Sequence, residues 1–244
     1  MSVFGIVCET NPIHNGHKRL IDAARVSGAE TIVCVMSGNT VQRGEFAIAD
    51  KYLRAEALLK CGADLVLELP YPWASSSAEY FSRAAISILM RCCDTVIFGS
   101  ECGDISLLEN AADIANTTEF RDEFNKMISD GAPAARSYFD MLEKRIGAKL
   151  SSNDLLGVEY IKAAKYLNSD IGFRTVKREG DCYTSDTIID EIFPSAMAIR
   201  NAWLRQNTEN IEKYIPDEAL DIYMDIQQPF DHTYNRAFTE VVRI

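Results

Sequence analysis

The chain has 244 residues, 47% of them apolar, which is enough to bury the core of one large domain or one domain with an attachment. Its formal charge is −11, so a nucleic-acid substrate must meet a local basic patch or a part of the protein outside this sequence. No apolar run reaches the roughly 18 residues of a membrane-spanning helix. The opening residues lack the basic flank of a secretory signal. Seven cysteines without a Cys-x-x-Cys pair fit a reduced, cytoplasmic protein.

In chain order, Ser2–Cys8 is an apolar run, and His17–Val26 carries apolar residues at helical spacing. Thr31–Met36 is a second apolar run, Asp50–Cys61 reads as a helix, and Asp64–Leu69 as a third strand. Ala78–Met90 is a helix and Asp94–Phe98 a fourth strand. Ile105–Lys144 is helical, with breaks near Asn116 and Gly131-Ala132-Pro133. Ser152–Tyr166 is a further helix, with Ser152 or Asn153 as its expected cap, and Ile171–Lys177 is a fifth strand. Ser195–Arg205 is helical, and Pro216 suits the first turn of a later helix. Strands that are apolar throughout, alternating with helices, predict an α/β fold: a doubly wound parallel sheet covered on both faces, with a helical insertion and a helical extension. The expected division is a nucleotide-binding domain over 1–207 and a helical segment over 208–244, the start of a further helical domain.

The strongest chemical signal is Asn11-Pro12-Ile13-His14-Asn15-Gly16-His17, between the first strand and the first helix. Two imidazoles at a helix N-terminus, with outward-facing amides, make a cradle for a triphosphate. Such donors stabilise charge that develops at the α-phosphate. A metal site is disfavoured, because the only other histidine is His232 and no Cys or carboxylate cluster has ligand spacing. There is no G-x-x-x-x-G-K-S/T loop and no G-x-G-x-x-G after a strand. Asp186, Asp190 and Glu191 read as a solvated face, and Cys92-Cys93 as packing.

The segment resembles the H-x-G-H signature of the HIGH-type nucleotidyltransferase superfamily, which includes adenylyltransferases and class I aminoacyl-tRNA synthetases. A second part of that signature matches Ser195-Ala196-Met197-Ala198-Ile199-Arg200, with Met197 where a hydroxyl residue is usual. Ser195 is the expected helix cap, and Arg200 a fixed cation for the phosphates. Arg43, Lys51 and Arg54, in and after the Met36–Glu45 loop, are candidate cationic contacts, and Gly99 in Phe98-Gly99-Ser100-Glu101 is a place where a flat base approaches the backbone. With the Gln42-Arg43-Gly44 loop and Ser152-Asn153-Asp154-Leu155-Leu156-Gly157, the ordered set is similar to the bacterial tRNA-methionine cytidine acetate ligase family, from Gly5 to about Arg205.

That resemblance implies ATP bound along Val7-Cys8-Glu9-Thr10-Asn11-Pro12-Ile13-His14-Asn15-Gly16-His17-Lys18-Arg19-Leu20, with further contacts from Gly99, Asn153 and Arg178. It implies His14, His17 and Arg200 as catalytic residues, and Mg²⁺ as a companion of ATP held by phosphate and water. It also implies the reaction: acetate and ATP give acetyl-adenylate, whose acetyl group passes to N4 of the wobble cytidine of elongator tRNA(Met). Family members carry a further C-terminal helical portion that tRNA binding is expected to need. Two other readings stay open: nucleotidyl transfer to another phosphate-bearing acceptor, and a non-catalytic nucleotide-binding module.

Overall fold

The computed structural model describes residues 2–42, 44–178, 195–204 and 211–224. Arg43, Asp186, Asp190, Glu191 and His232 lie outside the described residues.

Strands β1 (Val3–Cys8), β2 (Thr31–Ser37), β3 (Leu65–Leu69), β4 (Thr95–Ser100) and β5 (Gly172–Lys177) form one sheet in the order β3-β2-β1-β4-β5. Every pairing is parallel. The expected doubly wound α/β architecture is therefore present. Helices α1 (Asn15–Val26), α2 (Lys51–Lys60), α3 (Ala78–Leu89) and α4 (Ile105–Asn116) connect the first four strands and continue from the fourth. Helices α5 (Thr118–Ser129), α6 (Ala134–Ile146) and α7 (Ser152–Tyr166) complete the passage to β5. Helices α8 (Ala196–Leu204) and α9 (Leu220–Met224) follow, with short 3₁₀ turns at Ile211–Tyr214 and Asp217–Ala219.

The strands are apolar on both sides because both sides are covered. Val33, Val35, Val96 and Phe98 pack into one cluster with residues of α3, α4, α6 and α7. Their neighbours Ile32, Cys34, Met36 and Ile97 pack into a second cluster with residues of α1, α2 and α8. Residues of the segment expected beyond the nucleotide-binding domain, including Ile211, Tyr214, Ile222 and Tyr223, also belong to this second cluster. The Tyr223 hydroxyl accepts the Ile13 amide at 3.2 Å, which ties α9 to the first connecting loop.

Local caps place the elements. Asp50 caps α2 through the Tyr52 amide at 2.8 Å. The cap of α7 is Ser151, one residue before the expected Ser152 or Asn153. Ser151 accepts the Asp154 amide at 3.2 Å, and the Asp154 carboxylate accepts the Ser151 amide at 2.8 Å.

Candidate active site at the carboxyl edge of the sheet

The chain runs from β1 outward to β2 and β3, then returns to place β4 on the other side of β1. Such a reversal opens a crevice at the strand carboxyl ends. A cavity of about 290 Å³ lies there, lined by residues that follow β1, by the ends of β4 and β5, and by α3, α6, α7 and α8.

The loop after β1 is held in a strained form. Thr10 is fully buried at φ 45°, a left-handed conformation that a β-branched residue avoids unless its surroundings impose it. Its hydroxyl donates to the Met36 sulfur at 3.1 Å. The Asn11–Pro12 peptide is cis. The Asn11 side-chain carbonyl accepts the Ile48 amide at 2.7 Å, and its backbone carbonyl accepts Arg200 Nη1 at 2.6 Å. Arg54 completes the support. It is fully buried, donating Nε to the Ala49 carbonyl at 3.0 Å, Nη1 to that of Glu9 at 2.6 Å, and Nη2 to that of Gly38. One guanidinium thus pins the loops after β1 and β2 to the start of α2. Its expected role as a contact for substrate phosphates is corrected to this internal one, since its forked donors are spent on backbone.

His14 and His17 stand at the start of α1 with ring centroids 4.0 Å apart. The Gly16 amide donates to His14 Nδ1 at 3.0 Å, and the His14 amide donates to His17 Nδ1 at 3.2 Å. A backbone N–H can only donate, so each Nδ1 must be a bare acceptor. Each ring in its neutral form therefore carries its proton on Nε2. Burial, then the neighbouring cations, hold the His14 imidazole well below its usual range and His17 down to about 3. Gly16 belongs here for a steric reason, since a Cβ would lie 2.8 Å from His14 Cε1.

Two expectations change as a result. The Gly16 amide is spent on His14 Nδ1, and the His17 amide on the His14 carbonyl at 2.8 Å, so the cradle offers imidazole Nε2–H donors rather than these bare amides. The cationic character comes from Arg178 and Arg200, which line the cavity, and not from Lys18. The Lys18 ammonium pairs with Asp22 at 2.5 Å and Glu218 at 3.6 Å, and Lys51 pairs with Glu68 at 2.6 Å.

On the β4 side, Glu101 is a hub. Its carboxylate accepts Asn153 Nδ2 at 2.7 Å and the Ser151 hydroxyl, and pairs with Arg178 Nε at 3.3 Å. Beside it, Asp154 accepts the Ser100 hydroxyl at 2.6 Å and the Cys102 amide at 3.1 Å. Burial pushes the Asp154 acid upward, but these bonds outweigh it and hold the carboxyl below its usual value. Glu101 thus holds Asn153 and Arg178 at the rim, and Asp154 fixes the turn that carries Glu101. Gly99 lines the cavity beside the Arg178 stem: a Cβ there would lie 3.1 Å from Arg178 Cγ.

The cavity gathers Val7, Cys8, Glu9, Thr10, Asn11, His14, His17, Leu20, Gly99, Asn153, Arg178 and Arg200. Pro12, Ile13, Asn15, Gly16, Lys18, Arg19 and Ser195 are not on its wall. Ile13 is fully buried, Asn15 donates to the Lys213 carbonyl at 2.8 Å, and Ser195 caps α8 through the Ala198 amide at 3.0 Å. The cap turns Ala196, Met197 and Arg200 to the cavity. Glu101, Asp154 and the apolar wall are not singled out as site residues by the sequence, whereas Gln42, from the glutamine-arginine-glycine loop that the sequence does point to, lines the cavity. The Phe98–Glu101 stretch stands out in the sequence, but a carboxylate that works through other side chains leaves no spacing signal.

The whole chain, residues 1–244, matches the family described as HIGH Nucleotidyl Transferase. The chain belongs to that family. It is 39% identical over 233 residues to a tRNA(Met) cytidine acetate ligase of Caldanaerobacter subterraneus subsp. tengcongensis, covering 91% of this chain and 58% of the relative. A tRNA(Met) cytidine acetate ligase of Clostridium novyi is 40% identical over 239 residues, covering 92% and 59%. Among solved structures, apo Thermotoga maritima TmcAL superposes with a TM-score of 0.85 at 34% identity, over 94% of this chain and 58% of that one. The same protein bound with alpha-thio ATP gives a TM-score of 0.81 at 33% identity, over 93% and 56%. The chain thus spans less than two thirds of the length of these relatives. Among the described residues no helix is long and apolar enough to cross a membrane.

Proposed function

We propose that the chain is the carboxylate-activating part of a tRNA(Met) cytidine acetate ligase. Acetate and ATP give acetyl-adenylate and pyrophosphate, and the acetyl group then passes to N4 of the wobble cytidine of elongator tRNA(Met), with release of AMP and an N4 proton. The observation that carries the reading is the pair of imidazoles whose Nδ1 atoms are engaged by backbone amides, so that their Nε2–H groups are donors at a cavity also lined by Arg178 and Arg200. The naming of the relatives and the alpha-thio ATP bound to the Thermotoga protein support the substrate assignment.

The proposed step is a displacement at the α-phosphorus. An acetate oxygen forms the new P–O bond, the bond to the β-phosphate bridging oxygen breaks, and pyrophosphate leaves with the electron pair. No protein nucleophile takes part. The imidazoles donate Nε2–H to phosphate oxygens as their charge rises, and being neutral they need no proton transfer to do so. Arg178 and Arg200 lower the repulsion between the anionic nucleophile and the triphosphate. Among the described residues no group of three or more His, Cys, Asp or Glu is placed to hold a metal ion. A Mg²⁺ accompanying ATP would rest on phosphate and water. We place the protein in the cytoplasm, where its tRNA substrate is.

The test is exchange of labelled pyrophosphate into ATP. Exchange is expected to depend on acetate and to proceed without tRNA. Intact ATP binding with no acetate dependence would defeat the reading, and AMP transfer to a phosphate-bearing acceptor would replace it.

A further inference from the structure

The cavity has a second half that triphosphate chemistry does not use. Its wall there is Ala78 at the start of α3, Phe81, Phe98, Phe139 from α6, and Leu155 and Leu156 from α7. None of these six side chains carries a hydrogen-bonding group, while Ser152, Asn153 and Tyr160 of α7 bring polar groups to the same cavity. Phe81, Phe98 and Leu155 belong to the core cluster on the α3 and α7 face of the sheet. Ile13 and Ile199, which flank His14 and Arg200 in sequence, belong to the cluster on the opposite face. The crevice therefore crosses the carboxyl edge of the sheet, with the imidazoles and Arg200 on one face and the six apolar side chains on the other.

The floor of the apolar half is fixed. A Cβ on Gly157 would lie 2.3 Å from Phe98 Cε2, so the missing side chain is what lets the Phe98 ring lie against α7. The Tyr160 ring braces Phe98 edge-on at 5.8 Å. Phe139 and Leu156 are only partly buried and form the adjustable wall.

A purine is a poor occupant of this half. Against the six apolar side chains its ring nitrogens and amino group would lack partners, at a cost of roughly 1–3 kcal/mol for each group left unpaired. A short acyl chain has only hydrocarbon to bury, and its carboxylate would emerge toward the imidazoles. We infer that this bay receives the hydrocarbon end of the carboxylate substrate, and that Ala78 and Leu156 set the chain length it accepts. The inference rests on the carboxylate-activating reading above and adds the subsite and its selectivity.

The experiment compares acetate, propionate and butyrate in pyrophosphate exchange for the unsubstituted chain, Leu156→Ala and Ala78→Val. Leu156→Ala enlarges the bay and is expected to raise the propionate-to-acetate ratio of kcat/KM by about tenfold, the effect of a methylene in an apolar pocket. Ala78→Val narrows it and should lower the same ratio. The KM for ATP should stay within about twofold in both. A folding defect cannot move the ratio in opposite directions, so the pair separates selectivity from damage. A rise in the KM for ATP with an unmoved acid ratio would place the base in the bay and overturn the inference. A carboxylate-dependent chain whose preference ignores both substitutions would overturn the bay alone. An unsubstituted chain that needs no carboxylate would overturn the parent reading and the bay with it.

Discussion

A neutral His17 ties stability to pH through a proton that the folded chain refuses. Its folded value near 3 lies below the ordinary histidine value of about 6.5, and His14 is shifted the same way. Between those values the unfolded chain binds protons that the folded chain does not, so stability rises with pH. This contribution is full above about pH 6.5 and is lost as pH falls toward 3. The melting temperature is therefore expected to fall from pH 7 to pH 4.5, and less steeply in His17→Ala. That variant should also lose at least about tenfold in acyl-adenylate formation, since a preorganised donor aimed at developing charge contributes a few kcal/mol in the transition state. Melting curves across pH, with exchange assays at pH 7.5, check both. An unchanged exchange rate would remove the ring from the reaction. The histidine pair was legible in the sequence because two imidazoles at a strand–helix turn are rare. Their protonation was not, because it depends on which amide faces which ring nitrogen.

Among the elements, the strands and long helices were legible to within a residue or two. Thr31–Met36 became Thr31–Ser37, and Asp50–Cys61 became Lys51–Lys60, because apolar runs and helical spacing report burial directly. What the pattern hid was long-range polar wiring. Arg54 looked like a substrate contact, yet its acceptors lie 5, 16 and 45 residues away in sequence. Gly157 likewise reads as a weak point in α7 until Phe98 is seen to fill its place. Two effects compete in Gly157→Ala. Helix propensity favours alanine by about 1 kcal/mol. Against it, a methyl 2.3 Å from a buried ring must displace that ring, and overpacking costs about 1–3 kcal/mol. The ring sits in a core that cannot yield cheaply, so the clash wins. The variant is expected to be destabilised by about 1–2 kcal/mol, a fall of roughly 2–8 °C in melting temperature. A stabilised variant would mean that Phe98 moves freely and that the bay has no fixed floor.

For the whole molecule, charge decides what the chain does alone. With 36 acidic residues against 25 Lys and Arg, the summed field repels a polyanion, although the cavity itself presents Arg178 and Arg200. ATP needs only the local cations. A tRNA must approach over a wide surface, where each neutralised phosphate requires a Lys or Arg. Several cations of this chain are already committed: Arg25 to Asp64, Arg83 to Glu79, Arg145 to Glu119 and Glu123, and Lys165 to Asp113. The relatives are longer, with this chain covering 58% of the Caldanaerobacter protein. We therefore expect the two half-reactions to separate in residues 1–244. Acetate-dependent exchange should run at full rate without tRNA. Elongator tRNA(Met) should bind more weakly than about 1 µM at 0.15 M salt, in the range of non-specific contacts. Fluorescence anisotropy with labelled tRNA, read beside the exchange assay, checks this. Submicromolar binding that persists at that salt would mean that a basic surface within these residues suffices for tRNA, and would move the recognition element onto this chain.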